Sequence, residues 1–166
     1  MTRTNIFDAD GLAGAPFQVR DHPGFRAVRR RLGWAAGAER LGASVFEVEP
    51  GNAAYPFHYH LGEEELLVVL DGALRLRDPE GWSELRPGDV ASFPRGKDGA
   101  HQLVNAGDTT ARFLTISTNG DPDIILYPDS GKVGAAERAP GGAGLFSFHR
   151  LADAVEYHDG ETYPPD

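Results

Sequence analysis

The sequence predicts an all-β domain, a sandwich or barrel of short strands, on three observations. Turn-forming pairs recur along the chain, at Pro50-Gly51, Asp71-Gly72, Asp78-Pro79-Glu80-Gly81 and Pro87-Gly88-Asp89. They delimit short runs rich in β-branched and aromatic residues, with turns about every 8–12 residues. The chain also carries 21 glycines and 12 prolines in 166 residues, a supply that suits tight turns better than long helices. A chain of this length fits one domain with a full core.

Residues 1–40 read as an N-terminal arm with one or two strands, 26–34 among them. Residues 43–49 (ASVFEVE) alternate between apolar and polar and stop at Pro50-Gly51. Residues 55–60 are the next strand, and 64–70 follow after the link Leu61-Gly62-Glu63. Asp71-Gly72 is a hairpin signal. Residues 73–77 and 82–85 pair across the turn 78–81. Val90–Phe93, 101–105 and 110–118 complete the pattern. The remainder, 119–166, is less regular, with a strand expected at 124–127, a loop at 139–144 and one or two helical turns at 151–157. It is too short and too polar to own a core. The expected organisation is therefore a single domain, 1–166, with a barrel core at 41–118, the arm before it and an irregular extension after it. The run Leu66-Leu67-Val68-Val69-Leu70 is apolar at every position, so both its faces should be covered. The arm or a second subunit would cover the outer one, and a homodimer is expected.

Net charge is −9, which disfavours nucleic acid and anionic membrane surfaces as partners. The one basic cluster, Arg26, Arg29, Arg30 and Arg31, reads as a solvated strand edge. There is no cysteine, which removes disulfides and thiolate metal sites. The N-terminus has no apolar signal-like region and no stretch approaches a membrane span. A cytoplasmic location is the default expectation.

Chemistry concentrates on a few side chains. His58 and His60 are two apart, and positions i and i+2 of a strand share a face. Both imidazoles can reach one point inside a barrel. Glu65 begins the next strand, and His101, from a distant strand, could supply a fourth donor. Three imidazoles and one carboxylate suit a divalent Fe, Mn, Ni, Cu or Zn ion with room for water, oxygen or substrate.

Two blocks extend this pattern. Gly51, His58, His60, Glu65 and Gly72 lie in PGNAAYPFHYHLGEEELLVVLDG; Gly88, Pro94, Gly96, His101 and Asn105 lie in RPGDVASFPRGKDGAHQLVN. Together they closely resemble the paired motifs of the cupin superfamily, over about half the chain. The resemblance implies a double-stranded β-helix, or jelly-roll barrel, with His58, His60, Glu65 and His101 as ligands of one divalent metal. Among Glu63, Glu64 and Glu65, the family spacing from the second histidine admits Glu64 or Glu65, and the distance to Gly72 selects Glu65. The first block has one more residue than usual before His58. The second has two extra before His101, within Lys97-Asp98-Gly99-Ala100. Asn105 is expected to fix a loop by hydrogen bonding.

The resemblance implies three functions. The first is a metal-dependent enzyme of the dioxygenase kind on a small oxygen-rich metabolite, with Glu65 as a candidate proton acceptor. The second is a sugar-phosphate isomerase, epimerase or lyase using a Lewis-acid metal. The third is a non-catalytic small-molecule sensor. Arg95 and Lys97 flank the loop that delivers His101 and are the candidate contacts for an anionic substrate.

Overall fold

The structure, a computed structural model, describes residues 3–8, 17–137 and 144–163. It is built almost entirely of antiparallel strands, as the sequence predicts. A six-stranded sheet runs in the order β1 (Phe17–His22), β2 (Phe25–Arg31), β3 (Gly42–Val48), β10 (Ala111–Ser117), β5 (Glu65–Asp71), β8 (Val90–Phe93). A three-stranded sheet holds β7 (Gly81–Leu85), β6 (Leu74–Asp78) and β9 (Gln102–Asn105). A four-stranded sheet holds β13 (Phe146–Arg150), β12 (Lys132–Ala136), β11 (Asp123–Tyr127) and the two-residue β4 (Tyr59–His60).

The main core lies where the six- and three-stranded sheets face each other. Alternation along each strand fills it: Phe46 and Val48 from β3, Leu67 and Val69 from β5, Ala111 and Phe113 from β10, Leu74 and Leu76 from β6, and Leu103 from β9. Phe113 is fully buried and stacks on Phe46 at 4.9 Å. Truncating such an aromatic costs about 3–5 kcal/mol. Gly72 closes the turn after β5 at φ +81, and a Cβ there would lie 2.8 Å from Ala111 Cα, so only glycine fits. Asn105 fixes a loop as expected: its amide nitrogen donates to Val48 O and Thr109 O, both at 2.8 Å, and its Oδ1 accepts the Gly107 N–H at 2.9 Å.

Three segments differ from the sequence expectation. The strand expected at 26–34 ends at Arg31, and a single helical turn, Leu32–Ala35, follows. That turn drops Leu32 into a second cluster with Val45, Leu70 and Leu114 on the outer face of the large sheet. The strand expected at 55–60 is reduced to Tyr59–His60. Pro56 has no N–H to give a ladder, and the chain touches its neighbour only at isolated bridges, Ala53 with Val104 and His58 with His101. The region 119–166, expected to be less regular with one strand at 124–127, supplies that strand as β11 and two more, β12 and β13. The turn Pro128–Ser130 with Gly131 at φ +58 joins β11 to β12 as a hairpin, and β11 then captures β4, pairing Ile125 with His60. Of the loop expected at 139–144, only Gly144 lies within the described residues, and 151–157 contains one 3-10 turn, Leu151–Asp153. The arginine run is not a sheet edge: β2 lies between β1 and β3. Among the described residues, no helix is long and apolar enough to cross a membrane.

Candidate metal centre

His58, His60, Glu65 and His101 come together between the six- and four-stranded sheets. One ligand atom from each of His58, His60 and Glu65 lies within 4.8 Å of the others. Glu65 Oε2 sits 3.5 Å from His60 Nε2 and 3.2 Å from His101 Nε2. The segment carrying His101 is tied to the others by backbone: His58 and His101 exchange both N–H···O bonds, at 3.2 and 2.9 Å, and the Gly96 N–H donates to His60 O at 2.7 Å.

All three rings are oriented from behind. His58 Nδ1 lies 2.9 Å from Pro56 O, His101 Nδ1 2.9 Å from Gly99 O, and His60 Nδ1 2.5 Å from Asp123 Oδ2. Carbonyls and carboxylates only accept, so each Nδ1 carries the proton and each Nε2 lone pair is turned toward the centre. The extra residues before His101 form the 3-10 turn Lys97–Gly99, and this turn presents the Gly99 carbonyl. A Cβ on Gly99 would collide with Pro94 O. Phe93 stacks on the His101 ring at 3.8 Å, and Tyr127 stacks on His58 at 5.8 Å.

The electrostatics follow from this packing. Burial pushes His58 well below its ordinary value, and His101 and His60 push the same way, so His58 is neutral at pH 7. Burial opposes ionisation of Glu65. The histidines around it, His101 first and then His60 and His58, nonetheless bring it down to about 2 as the proton is shared with the Nε2 atoms of His101 and His60. Imidazole lone pairs facing an ionised carboxylate at 3.2–3.5 Å are satisfied only by a cation or a proton between them. The donor set therefore fits a divalent metal, and it is the nitrogen-rich set that first-row transition ions prefer.

Sequence reasoning missed several contributors. Asp123 is fully buried; besides His60 it accepts the Gly62 N–H on Oδ1 at 3.0 Å. Glu63, 2% exposed, forms a second possible metal-holding trio with His60 and Asp123. Glu64 is exposed. Above the cluster opens a cavity of about 440 Å³, whose lining includes His58, His60, Glu63, Glu65, Tyr55 and Tyr127. The same cavity is lined by Arg20, Arg29 and Arg31 of the β1–β2 hairpin. Arg20 donates to Ala54 O at 2.8 Å and Arg29 to Ser44 Oγ at 3.0 Å. Both guanidiniums pack over the Phe46 ring, and Arg31 lies over Trp34. Arg95 and Lys97 are exposed and are not among the lining residues.

A family model described as a cupin domain matches residues 44–117. A sugar phosphate isomerase of the cupin superfamily from Silicibacter pomeroyi is 30% identical. The match covers 92% of this chain and 96% of that one, with a TM-score of 0.75. The chain belongs to the cupin superfamily. A second solved cupin-like structure, from Acidithiobacillus ferrooxidans and provisionally called a sugar phosphate isomerase, is 28% identical over 90% of this chain and 94% of that one, with a TM-score of 0.75. Among curated proteins, germin-like protein 5-1 of Oryza sativa subsp. japonica is 32% identical over 61% of this cupin and 49% of its own length. The chain spans about half the length of the curated relatives it matches.

Proposed function

We propose that this cupin is a metal-dependent isomerase acting on a small anionic hydroxy-carbonyl compound of the sugar-phosphate type. The observation that carries this reading is one cavity with two chemistries: it is lined by His58, His60 and Glu65, with His101 buried behind Glu65 at 3.2 Å, and also by Arg20, Arg29 and Arg31. Planar guanidiniums suit phosphate and carboxylate oxygens. The two solved relatives at 28% and 30% identity, both described as sugar phosphate isomerases, support the same substrate class.

His58, His60, His101 and Glu65 would hold the divalent ion, which when bound supplies Lewis acidity to a substrate carbonyl. Glu65, drawn down to about 2, is a ligand and a poor base. Glu63, in the same cavity wall, is the carboxylate assigned to take the proton from the carbon beside the carbonyl and return it to the neighbouring carbon. The arginines hold the anionic end and fix which carbon faces Glu63. An oxygenase would use the same four donors but has no evident need of three cationic side chains in the cavity.

The test is anaerobic. Protein with its metal content measured is incubated in D2O with a panel of aldose and ketose phosphates, followed by NMR. Interconversion with deuterium entering at the carbon beside the carbonyl is the expected result. No exchange across the panel at full metal occupancy, combined with oxygen uptake on diketones, catechols or small organic acids, would replace this reading with the oxygenase one. Tight ligand binding without any product would replace it with a sensor.

A further inference from the structure

Tyr55 carries a hydroxyl that makes no hydrogen bond among the described residues. Its ring is wedged edge-on against Phe46 at 5.6 Å, Phe113 at 6.4 Å, His58 at 4.8 Å and His101 at 5.5 Å. The ring thus joins the apolar core to the metal cluster. The residue is 7% exposed, yet it lines the cavity. Its Oη is buried and has no hydrogen-bond partner among the described residues. Phenylalanine would make the same ring contacts without leaving a buried O–H unmade, which is the costly state for a polar group. Burial, then the Glu65 carboxylate, holds the phenol well above its ordinary value, so it is a protonated donor at neutral pH. The ring touches His58 and His101 on one side and Phe46, over which Arg20 and Arg29 pack, on the other, so the residue joins the two chemistries of the cavity.

We propose that Tyr55 is a catalytic residue: its hydroxyl donates a hydrogen bond to the substrate oxygen that becomes negative as the adjacent carbon loses its proton. The proposal rests on the isomerase reading and specifies it. The C–H bond breaks and its proton passes to Glu63. The electron pair forms the carbon–carbon double bond, and the carbonyl π pair moves onto oxygen, where the Tyr55 O–H receives it. Tyr55 keeps its proton throughout. Return of the proton from Glu63 to the neighbouring carbon, with the hydroxyl on the carbon that lost it giving its own proton to the former carbonyl oxygen, exchanges carbonyl and hydroxyl and restores every charge, so no oxidant or reductant is needed. A donor waiting unpaired in a dry wall needs no rearrangement when that charge develops.

The test is Tyr55→Phe in the full-length, metal-loaded protein. Removing one such donor costs about 10²–10³ in kcat, so a fall of that size is expected with KM within threefold. Metal stoichiometry and the affinity for inorganic phosphate stay unchanged, and the melting temperature of the metal-free protein holds or rises. A kcat within threefold of wild type overturns the proposal. So does a fall in melting temperature, which marks a structural hydrogen bond. A second probe separates this proposal from the isomerase reading itself. Acetohydroxamate, a small chelating oxyanion, is titrated calorimetrically into both metal-loaded proteins. Affinity at least tenfold weaker in the variant supports the donor role even if no sugar phosphate is turned over. Equal affinity removes the role even if turnover is found.

Discussion

At the scale of single residues, the best-supported positioning group is one no motif announced. Asp123 holds His60 from behind through Nδ1, fixing both the tautomer and the ring plane that turn Nε2 to the centre. Losing such a partner typically lowers metal affinity about 10–100-fold. Asp123→Asn is expected to do so, measured by competition with a chromophoric chelator, while the fold persists; unchanged affinity would deny Asp123 this role. The cluster also sets a pH dependence. His58 has its folded pKa lowered, so the unfolded chain takes up a proton that the folded one refuses. Its contribution to stability is present above about pH 6.5 and is lost as pH falls below it. Glu65 is lowered from 4.5 to about 2, so its contribution is full above 4.5 and fades from there toward 2. Both act in one direction. The melting temperature of the metal-free protein is expected to fall as pH drops from 7.5 to 5.5 through His58, and further below 4.5 through Glu65. A flat profile across the first interval would count against a buried neutral His58. The four donors were legible because strand periodicity and motif spacing are local. Asp123 was not, because it reaches His60 through β11–β4 pairing, which no short-range pattern encodes. Tyr55 lay inside the first motif, but whether its hydroxyl finds a partner is a tertiary property.

At the scale of elements, the β1–β2 hairpin changes the meaning of the arginine run. Read along the sequence, four arginines in six positions suggest a solvated edge. Read with strand alternation, the run splits: Arg29 and Arg31 share a face and line the cavity, while Arg30 on the opposite face lies 3.6 Å from Glu47. The signal was present at i and i+2, but its sense depended on β2 lying inside the sheet. An anion held by the hairpin predicts that wild type binds inorganic phosphate without metal. A hydrogen bond to a charged group is worth about 1.5–3 kcal/mol, so Arg29→Gln with Arg31→Gln is expected to weaken phosphate at least tenfold in calorimetry. Metal content is expected to stay unchanged. Equal phosphate affinity in the double variant would remove the hairpin from the site. Arg95→Ala with Lys97→Ala is the matched control, since neither side chain lines the cavity. The short β4 makes the complementary point. It is a strand only because β11 pairs with it, so a strand legible in the sequence at 124–127 steadies His60 through a pairing the sequence does not show.

At the scale of the whole molecule, the apolar run of β5 has one face inside the core and one outside. Leu67 and Val69 are buried among the core residues. On the outer face, Leu70 packs with Leu32, Ala35 and Ile6, so the N-terminal arm covers that end of the strand. The other end stays open: Leu66 and its cross-strand partner Ile116 are each 36% exposed, and Val90, paired with Val68 on edge strand β8, is 59% exposed. A continuous apolar face that the chain covers over only half its length is the kind of surface that marks association. We propose that a second copy covers the rest, about a two-fold axis that sets the same patch against itself. Sedimentation velocity is expected to give a dimer for wild type. Leu66→Glu with Ile116→Glu is expected to give a folded monomer with an unchanged far-ultraviolet circular dichroism spectrum. Charged residues on this face should not disturb folding, because Leu66 and Ile116 lie on the sheet face opposite the core and opposite the side chain of Glu65. A monomeric wild type, or a double variant that remains dimeric, would move the interface elsewhere.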